Sequence, residues 1–316
     1  MKRKLKLARF GSSKILNFST EDLNRETENL DRVPVKEAVR LFIQEDRRVF
    51  DAMGEVAGAI VKAVDIVVKG FRNGGRLIYL GAGTSGRLGF IDAAECPPTF
   101  GVEPGMVVAL MAGGEKAFRK AVEGSEDDEN GAIRDLKKIR VESKDVVFGI
   151  TASGTTPYVR SGLDHAKSIG CDTILLACNP VRRKSGIDVI ITPLVGPEVI
   201  SGSTRLKSGT ACKMILNMIS SISMIKLGKV YKNLMVDVVA TNRKLIRRAR
   251  RIVMLGAGVS EEEAENFLES AGGEAKTAIY LARRGGSPTQ ARKAIKKAGG
   301  SLAQALGEIG LVVDGG

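Results

Sequence analysis

Between Arg76 and Pro193 the sequence presents, five times over, a short apolar run separated from the next by a longer, helix-like stretch: "RLIYLG", "MVVALMAG", "DVVFGITAS", "DTILLAC" and "DVIITPL". Apolar residues fall at successive rather than alternate positions, so each run needs burial on both faces, and each is too short for a core helix. Five such strands predict one parallel sheet with helices on both faces, an α/β sandwich in which ligands gather beyond the carboxyl ends of the strands. The loops that follow the strands are therefore where chemistry is expected.

The flanks read differently. Residues 20–73 look helical, with N-cap choices at Ser19 and Thr20 in "STEDLNRETENLD" and a 3.6-period apolar stripe through "VFDAMGEVAGAIVKAVDIVVKGF". A long helix is predicted from Arg205 to Gly228, and "YKNLMVDVVATNRKLIRRARRIV" continues the helical character. Beyond it, Gly-Gly pairs at 272–273, 285–286 and 299–300 punctuate short amphipathic pieces, the pattern of a small helical bundle. The chain thus divides into a helical N-terminal extension (1–54), the sheet domain (55–238) and a C-terminal bundle (239–316).

Composition narrows the chemistry. Cys96, Cys171, Cys178 and Cys212 form no C-x-x-C pair and the chain has one histidine, His165, so a Cys/His zinc site is not expected. His165 lies in the helix-like "SGLDHAKSIG" with no serine elbow, which leaves proton chemistry to carboxylates, Lys or Tyr. The net charge of +13 admits anionic partners, but with 4% aromatic residues and no aromatic–basic alternation the basic runs "MKRKLK", "RKLIRRARR" and "ARKAIKKAG" read as solvated faces. Neither nucleic acid nor membrane is an expected partner. No apolar run approaches bilayer length and the N-terminus has no uninterrupted apolar core, so a soluble cytoplasmic protein is expected.

The first strand runs into "LGAGTSGRLG", in which Gly81, Gly83 and Gly86 have the G-x-G-x-x-G spacing of a dinucleotide turn. Thr84 and Ser85 add hydroxyls there, and the acidic residue that would anchor a ribose is missing at the right distance: Glu115 lies 29 residues past Gly86, against about 20 in the fingerprint. The third strand leads into "TASGTTPYV", where Ser153, Gly154, Thr155 and Thr156 precede Pro157 at a helix start. A strand, a hydroxyl-rich turn and a helix N-terminus make an anion site. A third loop, "GPEVISGSTRLKSGTA", adds Ser203, Thr204, Arg205 and Lys207, with Glu198 also among the substrate-binding candidates. Taken singly, each loop reads first as ordinary N-capping. Together, and with no triphosphate loop, they point to a phosphorylated small molecule, its phosphate held by Ser85, Ser153 and Thr156 with Thr84, Gly86, Gly154 and Thr155 around it.

The blocks "LGAGTSGRLGFIDAAECPPTFG", "AVEGSEDD", "SGTTPYV", "GPEVISGSTRLKSGTA", "LNMIS" and "KNLMVDVVATN" resemble the N-acetylmuramic acid 6-phosphate etherases, sugar isomerase (SIS) domain proteins related to the glucokinase regulatory protein. The likeness runs from "STEDLNRETENLD" into the C-terminal bundle. It implies an SIS-type sheet, a two-fold dimer with sites near the subunit boundary, and metal- and cofactor-free cleavage of a D-lactyl ether to N-acetylglucosamine 6-phosphate and D-lactate. It also implies two catalytic glutamates, which fall on Glu95 in "AAECPP" and Glu126 in "EGSEDD".

Two carboxyls suit such a reaction. Opening the sugar ring exposes a C1 aldehyde that acidifies the C2 proton; one carboxylate removes that proton, a carboxylic acid protonates the departing lactyl oxygen, and water adds back. Glu126 is assigned as base and Glu95 as acid, with Pro97-Pro98 expected to stop the helix and hold Glu95 in an enclosed cleft. From its acidic run alone Glu126 would read as a solvated residue. Two positions depart from the family: Thr155 stands where Arg is common and Cys212 where Gln is common. A non-catalytic sugar-phosphate sensor and an aldose–ketose isomerase on the same fold are the alternatives.

Overall fold

The computed structural model describes residues 19–120, 122–181, 186–238 and 243–308. All five apolar runs are strands: β1 (Leu77–Gly81), β2 (Val107–Met111), β3 (Val146–Thr151), β4 (Asp172–Ala177) and β5 (Val189–Ile191) form one parallel sheet in the order β2-β1-β3-β4-β5. Every residue of β1 and β3 is buried, as two-sided coverage requires.

Alternate strand residues feed two cores. On one face Tyr79, Phe148, Ile150 and Leu176 pack against α1 (Val35–Arg72), α2 (Gly83–Phe100) and α6 (Lys207–Lys226) through Val64, Val67, Cys96, Ile215 and Ile219. On the other, Ile78, Leu80, Val147 and Leu175 meet Leu136 of α4 (Glu129–Lys138) and Val159 and Leu163 of α5 (Pro157–Ser168). Each such aliphatic side chain, fully buried, contributes about 1.5–3 kcal/mol. Between β2 and α4 lie α3 (Glu115–Arg119) and a 3₁₀ turn, Ser125–Asp127. The glycine spacing serves this packing: a Cβ on Gly81 would lie 2.5 Å from the Gly86 nitrogen, so the end of β1 and the first turn of α2 touch backbone to backbone.

A separate apolar cluster is built by α7 (Arg243–Ala257), α8 (Glu261–Ser270), α9 (Ala275–Arg284), α10 (Pro288–Lys297) and α11 (Leu302–Ala305) around Val253, Ala264, Ile279 and Leu302. Both residues of each Gly-Gly pair have positive φ, ending the helix before it. "LGAGVSEEE", which echoes the first glycine loop, is a capping box: Glu263 N–H donates to Ser260 Oγ and Ser260 N–H to the Glu263 carboxylate.

Three expectations need correction. The helical reading of residues 20–34 fails: Ser19–Glu21 and Arg25–Thr27 are 3₁₀ turns and α1 begins after Pro34. The polar side chains there bind the rest of the fold, Asn24 donating to Glu45 and Thr27 to the Val199 carbonyl. Pro97 and Pro98 do not stop α2, which continues through them to Gly101; buried Cys96 and Phe100 hold the last turn, and the chain leaves at Gly101 with φ 60. Residues 229–238 are not helical either: Tyr231 and Leu234 pair across a tight turn with Lys232 at φ 56, so that Tyr231, Val236 and Val238 enter the C-terminal cluster. The N-terminal basic run and residues 239–242, which close "KNLMVDVVATN" and carry the expected boundary at 239, lie outside the described residues.

Candidate active site

β1 lies beside β3 in the sheet, yet the chain leaves β1 for β2 on its other side; the loops after β1 and β3 therefore diverge and open a crevice at the strand ends. A cavity of about 340 Å³ fills it. Thr84 and Ser85 from the first loop, Ser153 and Thr156 from the second, Thr204 from the third and Glu126 from the turn after α3 all line it.

Its electrostatics suit an anion. α2 and α5 start at the cavity with no side-chain cap, leaving their N-terminal N–H groups and positive dipole ends for a ligand. The third helix differs: the Glu198 carboxylate accepts from the N–H groups of Lys207 and Ser208 and from Ser208 Oγ, at 2.7–3.0 Å. A protein carboxylate thus neutralises α6, and the two open helix ends flank the serine loops. Within the second loop the hydroxyls are ordered before any ligand arrives. Thr151 Oγ1 lies 2.7 Å from Thr156 Oγ1 and accepts from Gly154 N–H, and Thr155 donates to Ser153 Oγ from both its N–H and its hydroxyl.

Other expected residues lie elsewhere. Gly86 is buried beneath the loop, against Gly81. Gly154 and Thr155 border a neighbouring cavity with Arg160, on the far side of Ser153. Ser203 and the exposed Arg205 do not line the crevice. Lys207 and Glu198 are fully buried, and the Lys207 ammonium points away from the cavity to Glu45 Oε2 at 2.5 Å. Glu95 is exposed on α2 beside Ile91, not in an enclosed cleft. Ten residues separate it from Ser85, so the helix carries it about 15 Å along its axis from the cavity.

Several cavity residues escaped the sequence reading. Thr20 and Glu21, at the expected helix start, line the cavity, as do Ser208 and Gly209, while Thr151 joins it from the hydroxyl-rich turn after β3, where the sequence already points to an anion site. Asn179, just after β4, ties the Thr20 turn to the second loop by accepting from Thr20 N–H and donating to Thr20 Oγ1 and the Ala152 carbonyl. Cys212, noted only as a departure, lines the cavity with Cys178 behind it, the sulfurs 3.9 Å apart. That neighbour and burial hold the Cys212 thiol well above the usual thiol range, so it stays protonated. Among the described residues no group of three or more His, Cys, Asp or Glu side chains could hold a metal ion, and no helix is long and apolar enough to cross a membrane.

A doubly covered parallel sheet with hydroxyl loops and open helix ends at its switch point defines a sugar-phosphate domain of the SIS type. Residues 59–167 match the family described as "Glucokinase regulatory protein N-terminal SIS domain". The chain is 50% identical over 291 residues to the N-acetylmuramic acid 6-phosphate etherase of Geobacillus thermodenitrificans, covering 92% of this chain and 99% of that one. It is 51% identical over 291 residues to the enzyme of that name from Mycolicibacterium smegmatis (92% and 98% covered) and 50% over 295 residues to that from Brucella anthropi (93% and 96%). The chain belongs to the N-acetylmuramic acid 6-phosphate etherase family.

Proposed function

We propose that this protein cleaves the D-lactyl ether of N-acetylmuramic acid 6-phosphate by elimination and re-addition of water, releasing D-lactate and N-acetylglucosamine 6-phosphate. The observation that carries this reading is one cavity holding both the hydroxyl loops and Glu126. The phosphate binds at Ser85, Ser153 and Thr156 under the open ends of α2 and α5, which orients the sugar toward Glu126. Glu126 removes the C2 proton once the ring is open, the lactyl oxygen leaves from C3 with a proton, and water adds to the resulting double bond. Thr84 and Thr204 contact the sugar. Thr155 orders the Ser153 hydroxyl by donating to it, while Lys207 and Glu198 act by fixing the start of α6.

Glu95 is the acid, and it acts in the second copy of a homodimer. On α1, Val39, Ile43, Phe50 and Val61 are 53–68% exposed, and they share one helical face with Gly54 and Gly58, where an added Cβ would meet nothing within 4 Å. On α2, Phe90 and Ile91 are exposed beside Glu95. An apolar stripe of this length with glycines for close helix approach suits a two-fold partner, which brings its own Glu95 to a cavity that lacks one. The assay is D-lactate release from N-acetylmuramic acid 6-phosphate: turnover by wild type, and loss of turnover in Glu126→Gln with retained sugar-phosphate binding, support the reading. Binding without any turnover by wild type refutes it.

A further inference from the structure

We propose that Glu21 is a further catalytic residue, the acid–base group that opens the sugar ring; this rests on the etherase reading above. Elimination needs a C1 aldehyde, and a pyranose has none until the C1–O5 bond breaks, so a proton must leave O1 and reach O5 before Glu126 has an acidic C2 proton to remove. The cavity offers few groups for that transfer. His165 does not line it, and the Cys212 thiol is held protonated. Glu126 is engaged at C2. Glu21 is the other carboxylate on the cavity wall.

Its setting is built rather than incidental. Glu21 ends the 3₁₀ turn Ser19–Glu21, and the residue before it, Thr20, is 2% exposed. Asn179 Oδ1 accepts from Ser19 Oγ and Thr20 N–H, Asn179 Nδ2 donates to Thr20 Oγ1 at 2.8 Å, and Gly202 N–H donates to the Thr20 carbonyl at 3.1 Å. The same Asn179 amide holds Ala152, next to Ser153, so the turn carrying Glu21 is stapled to the loop that holds phosphate. The Glu21 carboxyl rests over Gly202, where φ is 74 and a Cβ would come within 2.8 Å of Oε2. No hydrogen bond or ion pair to that carboxyl is found among the described residues, so its oxygens remain for substrate.

The step balances without a co-reactant. Glu21 takes the O1 proton, the O1 electron pair forms the C1 carbonyl as the C1–O5 bond breaks, and the carboxyl returns the proton to O5. O1 and O5 are both bonded to C1, so the two oxygens of one carboxyl can serve both.

Ring opening is also the step by which α and β anomers interconvert, so it is read without elimination, by exchange NMR on N-acetylglucosamine 6-phosphate. Wild type and Glu126→Gln should both accelerate interconversion, although Glu126→Gln should not exchange the C2 hydrogen with deuterated solvent. Glu21→Gln should lose about 10²-fold of the acceleration, within the range of a general acid–base group, and a like factor in kcat for lactate release. Its unfolding temperature and affinity for N-acetylglucosamine 6-phosphate should be unchanged, which separates the effect from misfolding. Anomer interconversion by Glu21→Gln at the wild-type rate, no acceleration by wild type, or a defect confined to affinity overturns the proposal. Lactate release by wild type is scored separately, so failure of the etherase reading shows there, whatever the anomerisation result.

Discussion

Lys207 sits in a sugar-phosphate loop by sequence and in a buried ion pair by structure, and replacing it by Met separates the two roles. The Lys207 and Glu45 side chains are 0% and 1% exposed, and Glu45 Oε2 accepts from both Lys207 Nζ and Asn24 Nδ2. Removing the ammonium leaves a buried carboxylate with Asn24 and the half-exposed Arg48 as its remaining partners. Breaking a buried pair in this way costs about 3–5 kcal/mol. At about 2.1 cal/mol/K per residue, a 316-residue chain has an unfolding entropy near ~0.7 kcal/mol/K, so the expected drop in Tm is about 5–8 °C. Differential scanning calorimetry reads this directly, and the double variant Glu45→Met/Lys207→Met should recover most of the loss, because no charge is then left buried. A Lys207→Met protein with unchanged Tm but sugar-phosphate affinity lowered tenfold or more would refute the argument, because the ammonium would then act on the ligand.

Three other outcomes follow from named contacts. Ser153→Ala should weaken N-acetylglucosamine 6-phosphate binding by about 1–3 kcal/mol, the scale of a hydrogen bond to a charged group, measured by titration calorimetry. Phe50→Glu should convert a dimer of twice 33.7 kDa into monomers by light scattering and abolish lactate release with it; a wild-type monomer at micromolar concentration would contradict the shared site. Burial alone would raise the Asp145 pKa, but hydrogen bonds from the Arg76 guanidinium and backbone and from Glu142 N–H bring it below the usual carboxylate range. Its stabilising contribution is therefore present above an unfolded-state pKa of about 4 and lost as pH falls through the lower folded value. Asp145→Asn should be about 2–3 kcal/mol less stable than wild type at pH 7 in urea titrations, with the gap closing only in that acid window.

The sheet was legible because its signal is local: runs such as "DTILLAC" are apolar on both faces wherever they sit, and all five are strands. The capping box at Ser260 is equally local, since Ser260 and Glu263 stand on one turn of chain. What failed depended on distant partners. Ser19 and Thr20 have the composition of helix caps, but their partner is Asn179, some 160 residues away. "KNLMVDVV" has helix-forming residues, yet Tyr231, Val236 and Val238 are drawn individually into the C-terminal cluster. The prolines of α2 remove hydrogen bonds only in its last turn, which tertiary burial of Cys96 and Phe100 holds in place. Of the three phosphate-type loops, two keep open helix ends, and Glu198 occupies the third from within the protein. The direction in which the Lys207 chain points could not be read from its neighbours in sequence, and neither could the exposure of Glu95.

Elimination across C2–C3 at the Glu126 cavity leaves an isotopic signature, which turnover of N-acetylmuramic acid 6-phosphate in water labelled with deuterium and oxygen-18 reads out. Mass spectrometry should find solvent deuterium at C2 and solvent oxygen at C3 of N-acetylglucosamine 6-phosphate, with the ether oxygen retained in D-lactate, and Glu126→Gln should incorporate neither label. Solvent oxygen in the lactate, with the original oxygen kept at C3 and no deuterium at C2, would mean displacement on the lactyl side and would contradict the account.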